Sequence, residues 1–138
     1  SSSARISSAL MKMNPVAWFE IYVEDIERAR AFYGSVFGFV FEKIAPPVPG
    51  IEMMFFPMSE QSAGLYGAPG ALVKDPMRKP SKEGTLVYFS SMDCAVEAAR
   101  VAAAGGTVAQ EKTSIGPYGF MALCLDTEGN SFGIHSMV

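Results

Sequence analysis

The sequence predicts an α+β fold built from two βαβββ repeats. Three observations carry this prediction. A strand-like run followed by an acidic cap and an amphipathic helix occurs twice. The second copy lies 68 positions after the first, placing Asp25 on Asp93, Ala31 on Ala99, Gly38 on Gly106 and Val40 on Val108. After each helix come three short strand-like runs divided by Gly- and Pro-containing breakers.

The first run, Val16 to Val23, mixes β-branched and aromatic residues and is predicted as a strand. Alternation divides it into an apolar row, Ala17, Phe19, Ile21 and Val23, and a row with a charge in it, Val16, Trp18, Glu20 and Tyr22. The second row is expected to line something wetter than a core. Asp25 then stands as N-cap to a helix in which Ile26, Arg30, Tyr33 and Phe37 recur at helical spacing, and Gly38 stops it. Strands are predicted at about 39–44, 51–57 and 70–74. Between them lie the breaker from Ala45 to Gly50 and a flap from Pro57 to Pro69. The polar stretch from Lys74 to Gly84 joins the repeats, its charges expected to be solvated. The pattern restarts with a strand from Thr85 to Ser91 and a helix begun by Asp93, carrying Val96, Ala99 and Ala103 and stopped by Gly105 and Gly106. Strands at about 107–113, 119–126 and 131–137 complete the second repeat, with turns at 116–119 and 126–130.

A chain of 138 residues with 49% hydrophobic residues fits one domain, here 14–138, after a tail or expression remnant at 1–13. A formal net charge of -3 with no dense run of Lys or Arg argues against nucleic-acid binding. No apolar stretch approaches the roughly 18 residues of a membrane span, and the first ten residues make a poor signal peptide, so a cytoplasmic protein with no membrane partner is expected. The two cysteines have neither metal-knuckle nor disulfide spacing and read as reduced thiols, with Cys124 in the core and Cys94 beside a helix start.

The run from Trp18 to Tyr33, followed by Val36-Phe37-Gly38, resembles the opening of the glyoxalase / bleomycin-resistance / dioxygenase (vicinal oxygen chelate) superfamily, with its strand, acidic cap, "A-x-x-F-Y" and "F-G". Ala103-Ala104-Gly105-Gly106 and Asp126-Thr127-Glu128-Gly129-Asn130 are similar to its "A-A-G-G" and "D-P-x-G-N" elements. The resemblance implies a curved mixed sheet around a small-molecule cleft, and a homodimer. It also implies a divalent metal bound by His, Glu or Gln on the first and last strands of each repeat. The matching positions here are Trp18, Leu86, Gly133 and, in repeat one, Gly70 or Ala71, none of which supplies a ligand. A shift of one residue would bring in Phe19, Val87 or Ile134 and restore nothing. No metal and no other cofactor is therefore expected.

Glu20 and His135 remain as candidate catalytic residues, each two positions beyond a vacated ligand site and predicted by alternation to face the cleft. Placed together they would form a proton-transfer pair suited to abstraction beside a carbonyl. They would equally serve as a hydrogen-bonded pair that only shapes the pocket. Trp18, Tyr22, Tyr88 and Phe120 or Met121 are the candidate ligand-binding residues, giving an aromatic and thioether lining. Three functions compete: a metal-independent small-molecule binder, resembling the antibiotic-sequestering members; a lyase- or isomerase-type enzyme, glyoxalase-like, using Glu20 and His135 or a metal held elsewhere; and a structural domain whose cleft its own side chains fill.

Overall fold

A computed structural model describes residues 16, 18–45, 48–58 and 67–138. The expectations for the tail at 1–13, for Ala17 and for most of the 57–69 flap lie outside them. The chain runs β1 (Phe19–Tyr22), α1 (Ile26–Phe37), β2 (Glu42–Ile44), β3 (Glu52–Phe55), β4 (Gly70–Lys74), β5 (Val87–Ser90), α2 (Cys94–Val101), β6 (Thr107–Ser114), a single 3-10 turn (Gly116–Tyr118), β7 (Phe120–Leu125) and β8 (Ser131–Ser136).

Both helices start as their sequences dictate. The Asp25 carboxylate accepts from the backbone N–H of Arg28 at 3.0 Å, and that of Asp93 from Ala95 at 3.0 Å, each satisfying a donor that has no partner within the helix. A glycine in the left-handed region follows each of them. Gly38 adopts a left-handed φ of 76° and its N–H closes on the Gly34 carbonyl at 2.9 Å. After α2, Gly105 has a φ of 101°, and at the next residue, Gly106, a Cβ would run into the Leu125 carbonyl and the Phe32 ring.

The strands form two four-stranded mixed sheets, ordered β1-β4-β3-β2 and β5-β8-β7-β6. In each, the first strand of the repeat lies parallel to the last, and the other pairs are antiparallel. The pairing is equivalent in the two halves: Glu20 is opposite Ala71 and Tyr88 is opposite Gly133. Of the two candidates Gly70 and Ala71, Ala71 is thus the counterpart of Gly133.

The apolar row of the first strand is core, with Ile21 and Val23 buried. Phe19 of β1 meets Phe89 of β5 at 6.3 Å between ring centroids, and Phe89 also packs on Phe37 at 4.8 Å, Tyr33 at 5.6 Å and Phe56 at 5.8 Å. Aromatic pairs at these separations add to plain area burial, and here they join the repeats. Two helix faces differ from expectation. In α1, Ile26 and Tyr33 are buried with Ala29, Phe32 and Val36, while Arg30 is exposed and pairs with Glu27 at 2.9 Å. In α2 the buried face is Cys94, Ala98 and Val101, and Val96 and Ala99 point outward. An apolar stripe of small residues fits either side of a short helix, and only the packing partner selects one.

A clamp of polar groups holds the second repeat to the first. The Glu128 side chain, fully removed from solvent, accepts from the N–H groups of Glu24 at 3.0 Å and Asp25 at 2.9 Å, and from Arg28 Nε at 2.6 Å and Nη2 at 2.9 Å. Asn130 Nδ2 donates to the Tyr22 carbonyl at 2.7 Å, and the buried Tyr33 hydroxyl donates to Asp126 at 2.7 Å. The 126–130 turn therefore fixes where β1 ends and α1 begins.

Candidate functional site

A cleft of about 1290 Å³ opens beside Trp18 and Glu20 and is lined by residues of both repeats. Strand parity builds its wall. Trp18, Glu20 and Tyr22 at the first strand and Leu86, Tyr88 and Ser90 at the fifth line the cleft, and the core residues Phe19, Ile21, Val87 and Phe89 between them also border it. The described residues leave this cleft open and do not fill it with their own side chains.

Glu20 is exposed and held at both oxygens. Its Oε2 accepts from Trp18 Nε1 at 3.2 Å and its Oε1 from the Tyr22 hydroxyl at 2.8 Å. Such bonds arise because residues two apart on a strand share a face. Partial burial, and then the bond to Glu20, raise the Tyr22 phenol above its ordinary value, which keeps it a donor. On its other side the Tyr22 ring takes part in a cation–π contact, with the Arg78 guanidinium 5.4 Å from the centroid.

His135 also lines the cleft, in register with Ser90 and Met121, and its Nε2 lies 2.6 Å from the Tyr118 carbonyl of the 116–118 turn. A carbonyl only accepts, so this nitrogen carries the proton and a neutral ring has Nδ1 as its acceptor. Glu20 and His135 share the cleft without hydrogen bonding or ion pairing to each other; each has its own partners.

Trp18, Tyr22, Tyr88 and Met121 all line the cleft. Phe120 does not: it is one residue out of phase with His135, opposite Ser136, and its ring packs under the Lys112 ammonium at 4.8 Å. Alternation decides between Phe120 and Met121 once β7 is paired with β8. Several lining residues escaped sequence reasoning, Lys79, Ile115 and Tyr118 among them. Lys79 belongs to the connection between repeats, whose charges are expected to be solvated, while Ile115 precedes the 116–118 turn and Tyr118 closes it. Connections carry no periodicity from which their direction can be read.

The residues present do not fit the superfamily's metal. Trp18, Leu86, Ala71 and Gly133 stand at the ligand positions, and a Cβ built on Gly133 would run into the Tyr88 ring. The space that an acidic side chain at 133 would need is taken by the aromatic residue paired across from it. Among the described residues no three His, Cys, Asp or Glu side chains come together as a metal site.

The fold is shared with known structures. A hypothetical protein from S. aureus superimposes with a TM-score of 0.66 at 18% identity, over 93% of this chain and 98% of that one. A glyoxalase-related enzyme from Fulvimarina pelagi gives 0.63 at 17% identity, over 90% and 88%. Glyoxalase I from Zea mays gives 0.69 at 18% identity over 88% of this chain, which spans only 46% of the maize enzyme. Identities this low speak for the fold alone. No curated protein matches the sequence. The model of the Glyoxalase/Bleomycin resistance protein/Dioxygenase superfamily matches residues 15–134, and with the paired repeats and shared cleft this chain belongs to that superfamily.

Proposed function

We propose that residues 14–138 form a single small-molecule-binding domain that works without a metal, in the manner of the superfamily's antibiotic-sequestering members. One observation carries the reading: Tyr88 occupies the space over Gly133 that a ligating side chain would need, in a cleft whose other ligand positions are Trp18, Leu86 and Ala71. An aromatic wall with a few convergent polar groups suits a planar organic ligand. The thiols are free and both buried, consistent with a reducing cytoplasm, and no described helix is long and apolar enough to cross a membrane. A homodimer completes the proposal, checked by sedimentation.

The test is a titration with Ni, Zn, Mn and Fe followed by calorimetry and thermal melting. The expected result is no saturable binding below millimolar metal and no shift in melting. Micromolar binding, with an activity lost on chelation, would overturn the reading.

A second reading is supported by Glu20 and His135 lining one cleft, with His135 oriented by the Tyr118 carbonyl. In it the protein is a lyase- or isomerase-type enzyme and His135 moves a proton beside a carbonyl through Nδ1, while Glu20 orients the substrate. Its signature would be deuterium exchange beside the carbonyl of a bound ketone or aldehyde, followed by NMR. Exchange undiminished in His135→Ala would count decisively against it.

A further inference from the structure

We propose that the cleft recognises an organic cation with a planar apolar body, and that Glu20 is its counter-ion. This deepens the small-molecule-binding reading and rests on it. Glu20 is the one carboxylate among the described residues that line the cleft. Both of its oxygens are engaged, but by neutral donors, the Trp18 indole N–H and the Tyr22 hydroxyl. Neutral donors hold a carboxylate in place without cancelling its charge, and each oxygen keeps a further lone pair. The four ion pairs among the described residues join Arg28 to Glu128, Arg30 to Glu27, Lys74 to Glu52 and Lys112 to Asp93, so no basic group of the described protein pairs with Glu20. An oriented acid beside aromatic rings, in a cavity far larger than a water molecule, is an arrangement that a ligand cation completes.

Two groups on the cleft wall bear on this. Lys79 would draw an anion, and His135 would do so if charged. A lysine ammonium on a four-carbon stem keeps much of its hydration and swings with solvent, whereas Glu20 is pinned at both oxygens. The Tyr22 ring already attracts one guanidinium, that of Arg78, which is not among the lining residues. The anchored partner therefore decides the preferred charge.

The experiment compares three probes of one shape by calorimetry on the full chain: 1-methylquinolinium, the uncharged 1-methyl-2-quinolone and the anion quinoline-2-carboxylate. The cation is expected to bind about tenfold more tightly than the neutral probe at low salt, a preference typical of a cation beside a carboxylate and aromatic rings. It should fall several-fold in 0.5 M salt and vanish in Glu20→Gln, whose amide keeps an acceptor for Tyr22 and whose folding is checked by its melting curve. Equal binding of cation and neutral probe would overturn the charge assignment and leave the small-molecule reading standing. Tightest binding of the anion would also overturn it, assigning charge recognition to Lys79. Binding of none of the three would remove both.

Discussion

Replacing Glu128 by Ala strikes the clamp between the repeats, and the loss follows from its partners. The carboxylate is shut off from solvent and receives two backbone N–H groups at the start of α1, two guanidinium N–H groups and the Thr127 hydroxyl at 3.0 Å. A hydrogen bond to a charged group contributes about 1.5–3 kcal/mol. Five do not add, because Arg28 is half exposed and rehydrates when its partner goes. The N–H groups of Glu24 and Asp25 belong to exposed residues and regain water in part, so Glu128→Ala should cost about 1.5–3 kcal/mol and Glu128→Gln less. Urea unfolding gives these differences directly, with Arg28→Ala, whose guanidinium stays in water, expected to cost far less than Glu128→Ala. A loss below about 1 kcal/mol for Glu128→Ala would refute the reasoning.

The pH dependence supplies an independent check. Burial acts to raise the Glu128 carboxyl, but Arg28 and the backbone donors outweigh it and leave the group below its ordinary 4.5. A folded value lowered in this way gives stability that is fully present above 4.5 and is lost as pH falls through the folded value. The gap between wild type and Glu128→Gln should therefore be constant above that pH and narrow below it. Asp126 has the opposite sign: burial raises it above its ordinary value, so protonation favours the folded state, and it cannot account for a loss in acid.

Other consequences are open to simpler assays. Gly133→Ala should destabilise by about 1–3 kcal/mol, because Tyr88 must leave its place, and Tyr88→Ala in the same chain should recover at least half of that; additive losses would show that the ring is not the obstacle. Both thiols should resist Ellman's reagent at pH 8 in native buffer and react on unfolding, since Cys94 and Cys124 are buried and burial, followed by the charge of Cys94, pushes the Cys124 thiol up to about 11. Rapid labelling of two thiols in the native state would contradict that packing. The sole tryptophan, Trp18, lies in the cleft wall, so its emission should change on saturation with any ligand of the cleft, and an unchanged spectrum would place the ligand elsewhere.

Much of the architecture was legible locally. Asp25 and Asp93 are caps because a short side-chain acceptor at that spot satisfies the first free N–H groups, and this requires no knowledge of the rest of the chain. Alternation likewise placed Trp18, Glu20 and Tyr22 on the side opposite Ile21 and Val23. The candidate site was legible only where parity sufficed. Met121 and not Phe120 reaches the cleft because β7 pairs with β8 in one register and not the next, and Lys79 arrives there on a connection with no period to read.

The sequence by itself thus determined the two repeats, their caps and the row facing the cleft, all properties of near neighbours or of residue type, and the family resemblance aligned Trp18, Leu86 and Gly133 with the ligand positions. Only the tertiary structure decided that Glu20 bonds to Trp18 and Tyr22 instead of His135, that Tyr88 lies over Gly133, and that Glu128 caps the helix of the other repeat. Those outcomes depend on which of several donors comes within about 3 Å, and that is set by how distant strands pack, not by spacing along the chain.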